Sequence, residues 1–283
     1  MANRIQKPEW LKISIGSNER YSETKRILDS HNLHTICSSG RCPNMSECWG
    51  RGTATFMIGG EICTRSCKFC NTLTGRPLAL DEQEPTHVAK SIALMKLKHA
   101  VITSVDRDDL PDQGATHWAK TINEVKRLNP GLTTEVLIPD FQGHTDLVDI
   151  VIAASPDIIS HNMETVRRIT PKVRSAANYD TSLKVLKHIA SKGVVAKSGM
   201  MVGLGETPEE VEELMDDLRS AGCRILTIGQ YLQPTRKHYA VVEYITPAQF
   251  KIYKEVGLSK GFDQVESGPL VRSSYHAEKH ILK

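Results

Sequence analysis

Six of the seven cysteines in this chain lie between Cys37 and Cys70, in two groups of three. Cys63, Cys67 and Cys70 follow the spacing C-x3-C-x2-C, and Cys37, Cys42 and Cys48 follow C-x4-C-x5-C. Three thiolates from one tight loop can each bind a corner of a cubane iron–sulfur cluster, whereas structural zinc takes four ligands in a tetrahedral array. A set of three leaves one iron without a protein ligand, and an open metal position can bind a small molecule. A zinc reading of all six needs more ligands than cysteine supplies, with His31 and His34 as helpers, and leaves the glycine-rich loops further along without a purpose. Cys223, beside Gly222 where a helix enters a strand, reads as a small buried hydrophobe.

Composition sets the background for that chemistry. With 283 residues, 40% apolar and 24% charged, the chain reads as a soluble globular protein with a substantial core. A net charge of +3 is too mild for a nucleic-acid partner. The basic groups Arg167, Arg168, Lys172 and Arg174, and Arg236 with Lys237, read as solvated faces. "MANRIQKPEWLKISIG" has no apolar run of signal-peptide length and nothing further on is long enough to span a membrane, so a cytoplasmic protein without a membrane partner is expected. An odd number of cysteines in a reducing compartment argues for metal or catalytic thiols rather than disulfides.

The elements that must position these residues alternate. Strands are expected at 54–58, 99–104, 133–138, 157–161, 195–203 and 224–229, with a later one at 262–267. Helices are expected at 84–98, 114–129, 145–154, 164–169, 179–192, 208–221 and 247–259, with Thr207-Pro208-Glu209 as a start signal and Gly193 and Gly222 as stops. Strands without clean period-2 alternation, each followed by a helix, imply a parallel sheet covered on both faces. Six such units are too few for a closed eight-unit barrel, so the expected fold is α/β, a partial (β/α)6 TIM-like barrel over 54–260, with an N-terminal extension (1–53) and a C-terminal segment (261–283). Chemistry in such sheets gathers at the carboxyl ends of the strands. There stand "GGEICTRSCKFC", "VDRDDLPDQG", "HNMET" and "GLGETPEE". The last is not a dinucleotide fingerprint, because Pro208 occupies the place of the third glycine.

"CTRSCKFC", with Phe69 in the aromatic slot, resembles the radical S-adenosylmethionine (SAM) superfamily. Together with "CSSGRCPNMSEC", "TSVDRDDLPDQGA" and "GPLVRSSYHAE" it resembles the lipoyl synthase family across residues 7 to 278. The resemblance implies that Cys63, Cys67 and Cys70 hold a 4Fe-4S cluster whose open iron chelates SAM and cleaves it to a 5'-deoxyadenosyl radical. It also implies that Cys37, Cys42 and Cys48 hold an auxiliary 4Fe-4S cluster, completed by Ser274 of "RSSY", which donates sulfur. The reaction implied is insertion of two sulfurs at C6 and C8 of an octanoyl-lysine on a lipoyl carrier domain, at the cost of two SAM. An unactivated C–H bond offers no acidic proton to a general base, so placing the target carbon becomes the protein's main task.

By the same resemblance Asn162 and Glu164 contact the ribose of SAM, Arg174 its carboxylate, and Ser104 and Asp106 its amino group. Gly203 and Gly205, with "GQYLQPT", approach the adenine, and Arg272 anchors the C-terminal segment. Taken alone, Asn162 and Glu164 could equally be a helix N-cap with its first-turn acid, Arg174 a surface base, and Ser273 and Ser274 an ordinary turn. The partners implied are octanoylated dehydrogenase E2 subunits and the glycine cleavage H protein, a one-electron reductant such as flavodoxin or ferredoxin, and a cluster-repair carrier. Two competing readings stand beside this one. A biotin-synthase-like sulfur inserter should lack the first triad and "RSSY"; a ferredoxin-like carrier needs no SAM-binding iron.

Overall fold

The computed structural model describes residues 6–13, 19–31 and 33–280; parts of the expected N-terminal extension (1–5, 14–18 and 32) and the last three residues of the C-terminal segment lie outside them. Two compact units divide the chain, and both draw on separated stretches. The first comprises 15–66, 71–159 and 276–283, the second 1–14, 67–70 and 160–275.

The first unit carries α1 (Glu19–Ser30), β1 (His34–Thr35), α2 (Ile36–Ser39), α3 (Met45–Gly50), β2 (Thr55–Ile58), β3 (Ile62–Cys63), β4 (Leu73–Thr74), α4 (Glu84–Leu94), β5 (His99–Ser104), α5 (Ala115–Leu128), β6 (Thr133–Leu137), α6 (Thr145–Ala153) and β7, which runs Ile158–Ser160. β2 lies parallel to β5, with Thr55 opposite Val101, and β5 parallel to β6, with His99 opposite Thr133. β1 adds an antiparallel edge, His34 opposite Met57, that leads directly into the first cysteine group. Every residue of β2 is buried, as a strand covered on both faces requires. Phe56, Ile58, Ile102 and Val136 are at most 1% exposed, and each such side chain contributes about 1.5–3 kcal/mol by leaving water.

The second unit continues with α7 (Thr170–Val173), α8 (Tyr179–Ser191), β8 (Val195–Val202), α9 (Pro208–Ser220), β9 (Ile225–Gln230), α10 (Pro247–Ser259) and β10 (Gln264–Gly268). β9 is parallel to both β8 and β10, with Ile225 opposite Lys197 on one side and Gln264 on the other. α9 starts at a capping box: Thr207 accepts from the Glu210 backbone while Glu210 reaches back to the Thr207 amide, with Pro208 in the first turn. Such a cap contributes about 1 kcal/mol. α8 and α9 bury Val185, Leu186 and Ile189, and Leu214, Met215 and Leu218, the i, i+1, i+4 rows of a helix on a sheet.

The parallel sheet is not closed, as expected of six units rather than eight. Two local expectations change. Residues 164–169 form no helix: Glu164 has a φ of +68°, donates its N–H to Gly199 and accepts from Met201, and so bridges β8. A left-handed residue cannot begin a right-handed helix, and the helix forms later, as the four residues of α7. The strand at 264–268, placed with the C-terminal segment from sequence, belongs to the sheet beside β9.

Candidate functional site

The loop that carries the second cysteine group begins in the first unit. Cys63 is buried, and its sulfur receives the backbone N–H groups of Arg65 (3.4 Å) and Asp106 (3.3 Å) and lies 3.4 Å from Asp106 Oδ2. Burial, then the Asp106 charge, pushes its thiol up to about 12, while the two N–H groups favour the thiolate. A buried sulfur with backbone donors aimed at it suits a cluster ligand, where iron takes the place of the proton. Among the described residues no three His, Cys, Asp or Glu side chains gather around a single point. A cubane asks for one thiolate per iron instead, and does not need its ligands to converge on one point.

Arg65 stands between Cys63 and Cys67 and is buried. Its Nε and Nη2 donate to Asp108 Oδ2 (2.7 Å) and Oδ1 (2.8 Å), Nη2 also pairs with Asp140 (2.8 Å), and Nη1 lies 3.4 Å from Asp106. Burial works against its charge, but the Asp108 hydrogen bonds and the Asp106 and Asp140 charges outweigh it and hold the guanidinium protonated. The main causes at Asp106 run in the same order: burial raises its pKa and Arg65 opposes. Thr64 adds a backbone bond to the Asp106 carbonyl at 3.1 Å. The cysteine loop is thereby tied to the ends of β5 and β6. Ser104, the last residue of β5, is opposite Ile58. This network was not foreseen, although an arginine inside the cysteine loop and aspartates directly after two strands were its visible signal.

Cys67 and Cys70 belong to the second unit. Lys68 donates to the Val173 carbonyl (2.7 Å), Tyr239 to the Lys68 carbonyl (2.8 Å), and the His238 ring contacts the Cys70 carbonyl (2.9 Å). Cys67 Sγ lies 3.7 Å from Ser175 Oγ, and Phe69 is half-buried.

In the same unit, "HNMET" presents two acceptors. Asn162 donates through Nδ2 to Ser273 Oγ at 2.8 Å, while its Oδ1 is buried with no donor among the described residues. Gly199 makes that placement possible, because a Cβ there would come within 2.8 Å of Asn162 Oδ1 and 2.6 Å of Thr227 Oγ1. Burial raises the Glu164 pKa, opposed by the Arg174 charge and by a hydrogen bond from Asn162. Left-handed backbone at a glutamate is strained, and such strain collects at functional sites. Arg174 also donates to Ser182 Oγ at 2.8 Å. An orphaned buried acceptor, a desolvated carboxylate and a guanidinium suit a ligand with hydroxyls and a carboxylate, such as SAM.

At "GLGET" the backbone is engaged by its own chain. Glu206 accepts from Gly203 and Leu204, a Cβ on Gly203 would meet Gln230 Nε2 and the Glu243 carbonyl, and Arg168 donates to the Gly205 carbonyl. These contacts explain the left-handed Gly203 by packing and lend the adenine reading of Gly203 and Gly205 no support.

The first cysteine group is built in the first unit by two short helices. Thr35 caps α2, which carries Cys37; Cys42 lies in the following turn, its N–H on the Cys37 carbonyl (2.9 Å); α3 carries Cys48. Burial raises the Cys37 thiol and pushes Cys48 up to about 12; in both, the neighbouring cysteine thiols raise it further. Thiols kept protonated by burial become thiolates when a metal takes the place of the proton. Ser274 belongs to the second unit and follows Ser273, whose carbonyl accepts from Lys197. Cys223 is fully buried, as expected, and its thiol is pushed up to about 12 by burial.

Residues 57–218 match the radical SAM superfamily. The chain is 78% identical over 278 residues to the lipoyl synthase of Bacteroides fragilis, covering 98% of this chain and 96% of that one. This chain belongs to the lipoyl synthase family. The lipoyl synthase of Phocaeicola vulgatus is 77% identical, with 99% of this chain and 98% of that one covered. A solved structure of Streptococcus suis SuiB bound to its precursor peptide SuiA shares the fold at a TM-score of 0.59 and 11% identity, over 94% of this chain and 57% of that one. The lipoyl synthase family thus has here the open α/β barrel of radical SAM enzymes.

Proposed function

We propose that Cys63, Cys67 and Cys70 hold the SAM-binding 4Fe-4S cluster, and that Cys37, Cys42, Cys48 and Ser274 hold the auxiliary one. The enzyme is a radical SAM sulfurtransferase that inserts two sulfur atoms at C6 and C8 of a protein-bound octanoyl-lysine. The observation that carries this reading is the first triad, carried by α2, by the turn in which Cys42 donates its N–H to the Cys37 carbonyl, and by α3, in a chain 78% identical to a lipoyl synthase. When bound, the clusters and two SAM per lipoyl group supply C–H activation and sulfide.

The protein's own part is to hold and orient. Arg65 locks the Cys63 end of the loop to Asp108 and Asp140, and the Val173 and Tyr239 contacts hold the Cys67–Cys70 end. Asn162 Oδ1 accepts from the ribose, Glu164 takes a second hydroxyl, and Arg174 pairs with the carboxylate of SAM. Ser104 and Asp106 receive its amino group, and Phe69 packs beside the loop. An alkoxide is a harder ligand than thiolate, so the iron on Ser274 is the one most readily given up, as a sulfur donor needs.

Octanoylated lipoyl domains are the substrate class, with dehydrogenase E2 subunits and the glycine cleavage H protein as the carriers, flavodoxin or ferredoxin as reductant and a separate carrier for cluster repair. The reaction is assigned to the cytoplasm; among the described residues no helix is long and apolar enough to cross a membrane. The test is an anaerobic single turnover with SAM, reductant and an octanoyl-lysine peptide, read by mass spectrometry. Two sulfurs gained with two 5'-deoxyadenosines released, and sulfur but not SAM cleavage lost in Cys37→Ala, is the expected result. SAM cleavage without sulfur gain while the auxiliary cluster is intact would sink the substrate assignment.

A further inference from the structure

Lys197 lies on β8 with no exposed surface, among the largest fully buried side chains of the described chain. Burying an ammonium costs heavily unless acceptors meet it, and a methionine would fill the same space without that cost. One acceptor is the Ser273 carbonyl, at 2.7 Å and 76 positions along the chain. The hydroxyl of the same serine accepts from Asn162 Nδ2 at 2.8 Å. Ser273 is thus gripped through both its backbone and its side chain, by a residue within β8 and one just after β7.

The neighbouring residues show how closely this segment is seated. A Cβ on Gly229 of β9 would stand 2.1 Å from the Val271 carbonyl oxygen and 3.0 Å from its carbon, so only glycine lets the segment cross there. Val271 itself is 8% exposed, and turns from Gly268 to Val271 and from Arg272 to Tyr275 bracket the pair of serines.

We propose that Lys197 and Asn162 form a two-point clamp on Ser273, a positioning device that presents Ser274 as a ligand; this rests on the reading of Ser274 given above. Charge-assisted donation to a carbonyl is strong and short, and a grip on the preceding residue keeps the backbone at Ser274 seated. Both clamp residues act on Ser274 through Ser273, the residue before it.

Hydrogen exchange of residues 271–275 in the full chain, read by mass spectrometry, tests the clamp without reference to activity. Lys197→Met should raise exchange there at least tenfold while α9 keeps its protection. Lys197→Gln, which retains an N–H donor, should recover part of it. Asn162→Ala should raise it independently, and serves if Lys197→Met does not fold. Wild-type exchange in Lys197→Met, or in Asn162→Ala, overturns the clamp. In a Cys63, Cys67 and Cys70 to alanine background, release of auxiliary iron to a chelator should quicken about tenfold in Lys197→Met and in Ser274→Ala. If Ser274→Ala releases iron at the parental rate while Lys197→Met still frees the segment, the clamp stands and the ligand reading of Ser274 fails.

Discussion

Arg65 grips Asp108 with both prongs of its guanidinium, Nε to Oδ2 at 2.7 Å and Nη2 to Oδ1 at 2.8 Å, from inside the loop that carries Cys63 and Cys67. Bidentate pairing fixes orientation as well as distance, so the chain between Cys63 and Cys67 is tied to the strand ends. Arg65→Met would leave Asp106, Asp108 and Asp140 facing one another. Removing one partner of a buried ion pair costs about 3–5 kcal/mol. Asp106 and Asp108 are 24% and 21% exposed, so water recovers some of that and a loss of about 2–4 kcal/mol is expected in urea unfolding. Arg65→Lys keeps the charge and loses the fork, and should fall between; wild-type stability in Arg65→Met would refute the clamp on the loop.

Glu164 is desolvated and held in left-handed backbone, so its role is separable from cluster binding. Glu164→Gln should keep the full iron content and weaken SAM binding by about 10- to 100-fold, the loss of one hydrogen bond to a charged group. Equilibrium dialysis against SAM measures it. Unchanged affinity would return Glu164 to a purely structural place.

The thiol of Cys223 binds no cluster in this reading and gives a clean pH signature. Its folded value, about 12, lies above the ordinary 9.0, so the folded state keeps the proton that the unfolded state releases. Its contribution to stability is complete below pH 9 and is lost as pH rises from 9 toward 12. The slope approaches about 1.4 kcal/mol per pH unit in that window. Urea titrations at pH 8 to 10.5 should show a shallower decline in Cys223→Ala; identical slopes would contradict the assignment.

Arg51, just after α3, reaches His276 Nδ1 (2.9 Å) and Glu278 (3.0 Å), with Glu47 at 3.8 Å, and so ties the helix of Cys48 to residues past "RSSY". The pairs are exposed, each contributing about 0.2–1 kcal/mol. Arg51→Glu should therefore shift unfolding by less than about 1 kcal/mol, yet quicken proteolysis near the C-terminus. Adding Glu278→Arg should restore resistance; no change in cleavage would dismiss the tie.

What the sequence alone determined is what depends on spacing and local pattern. The two cysteine triads, the alternation of strands and helices and the cap at Thr207 are written in residues a few positions apart, where covalent geometry, periodicity and backbone preference already decide the outcome. The family, too, is legible there, because "CTRSCKFC" and "RSSY" are contiguous. What only the tertiary structure decided is which distant groups meet. Arg65 finds Asp140, and Lys197 finds Ser273, through strand register and the return of the C-terminal segment across Gly229. The helix expected at 164–169 yields for the same reason. Its helical pattern is local, but pairing of Glu164 with Gly199 and Met201 in β8 satisfies that backbone better.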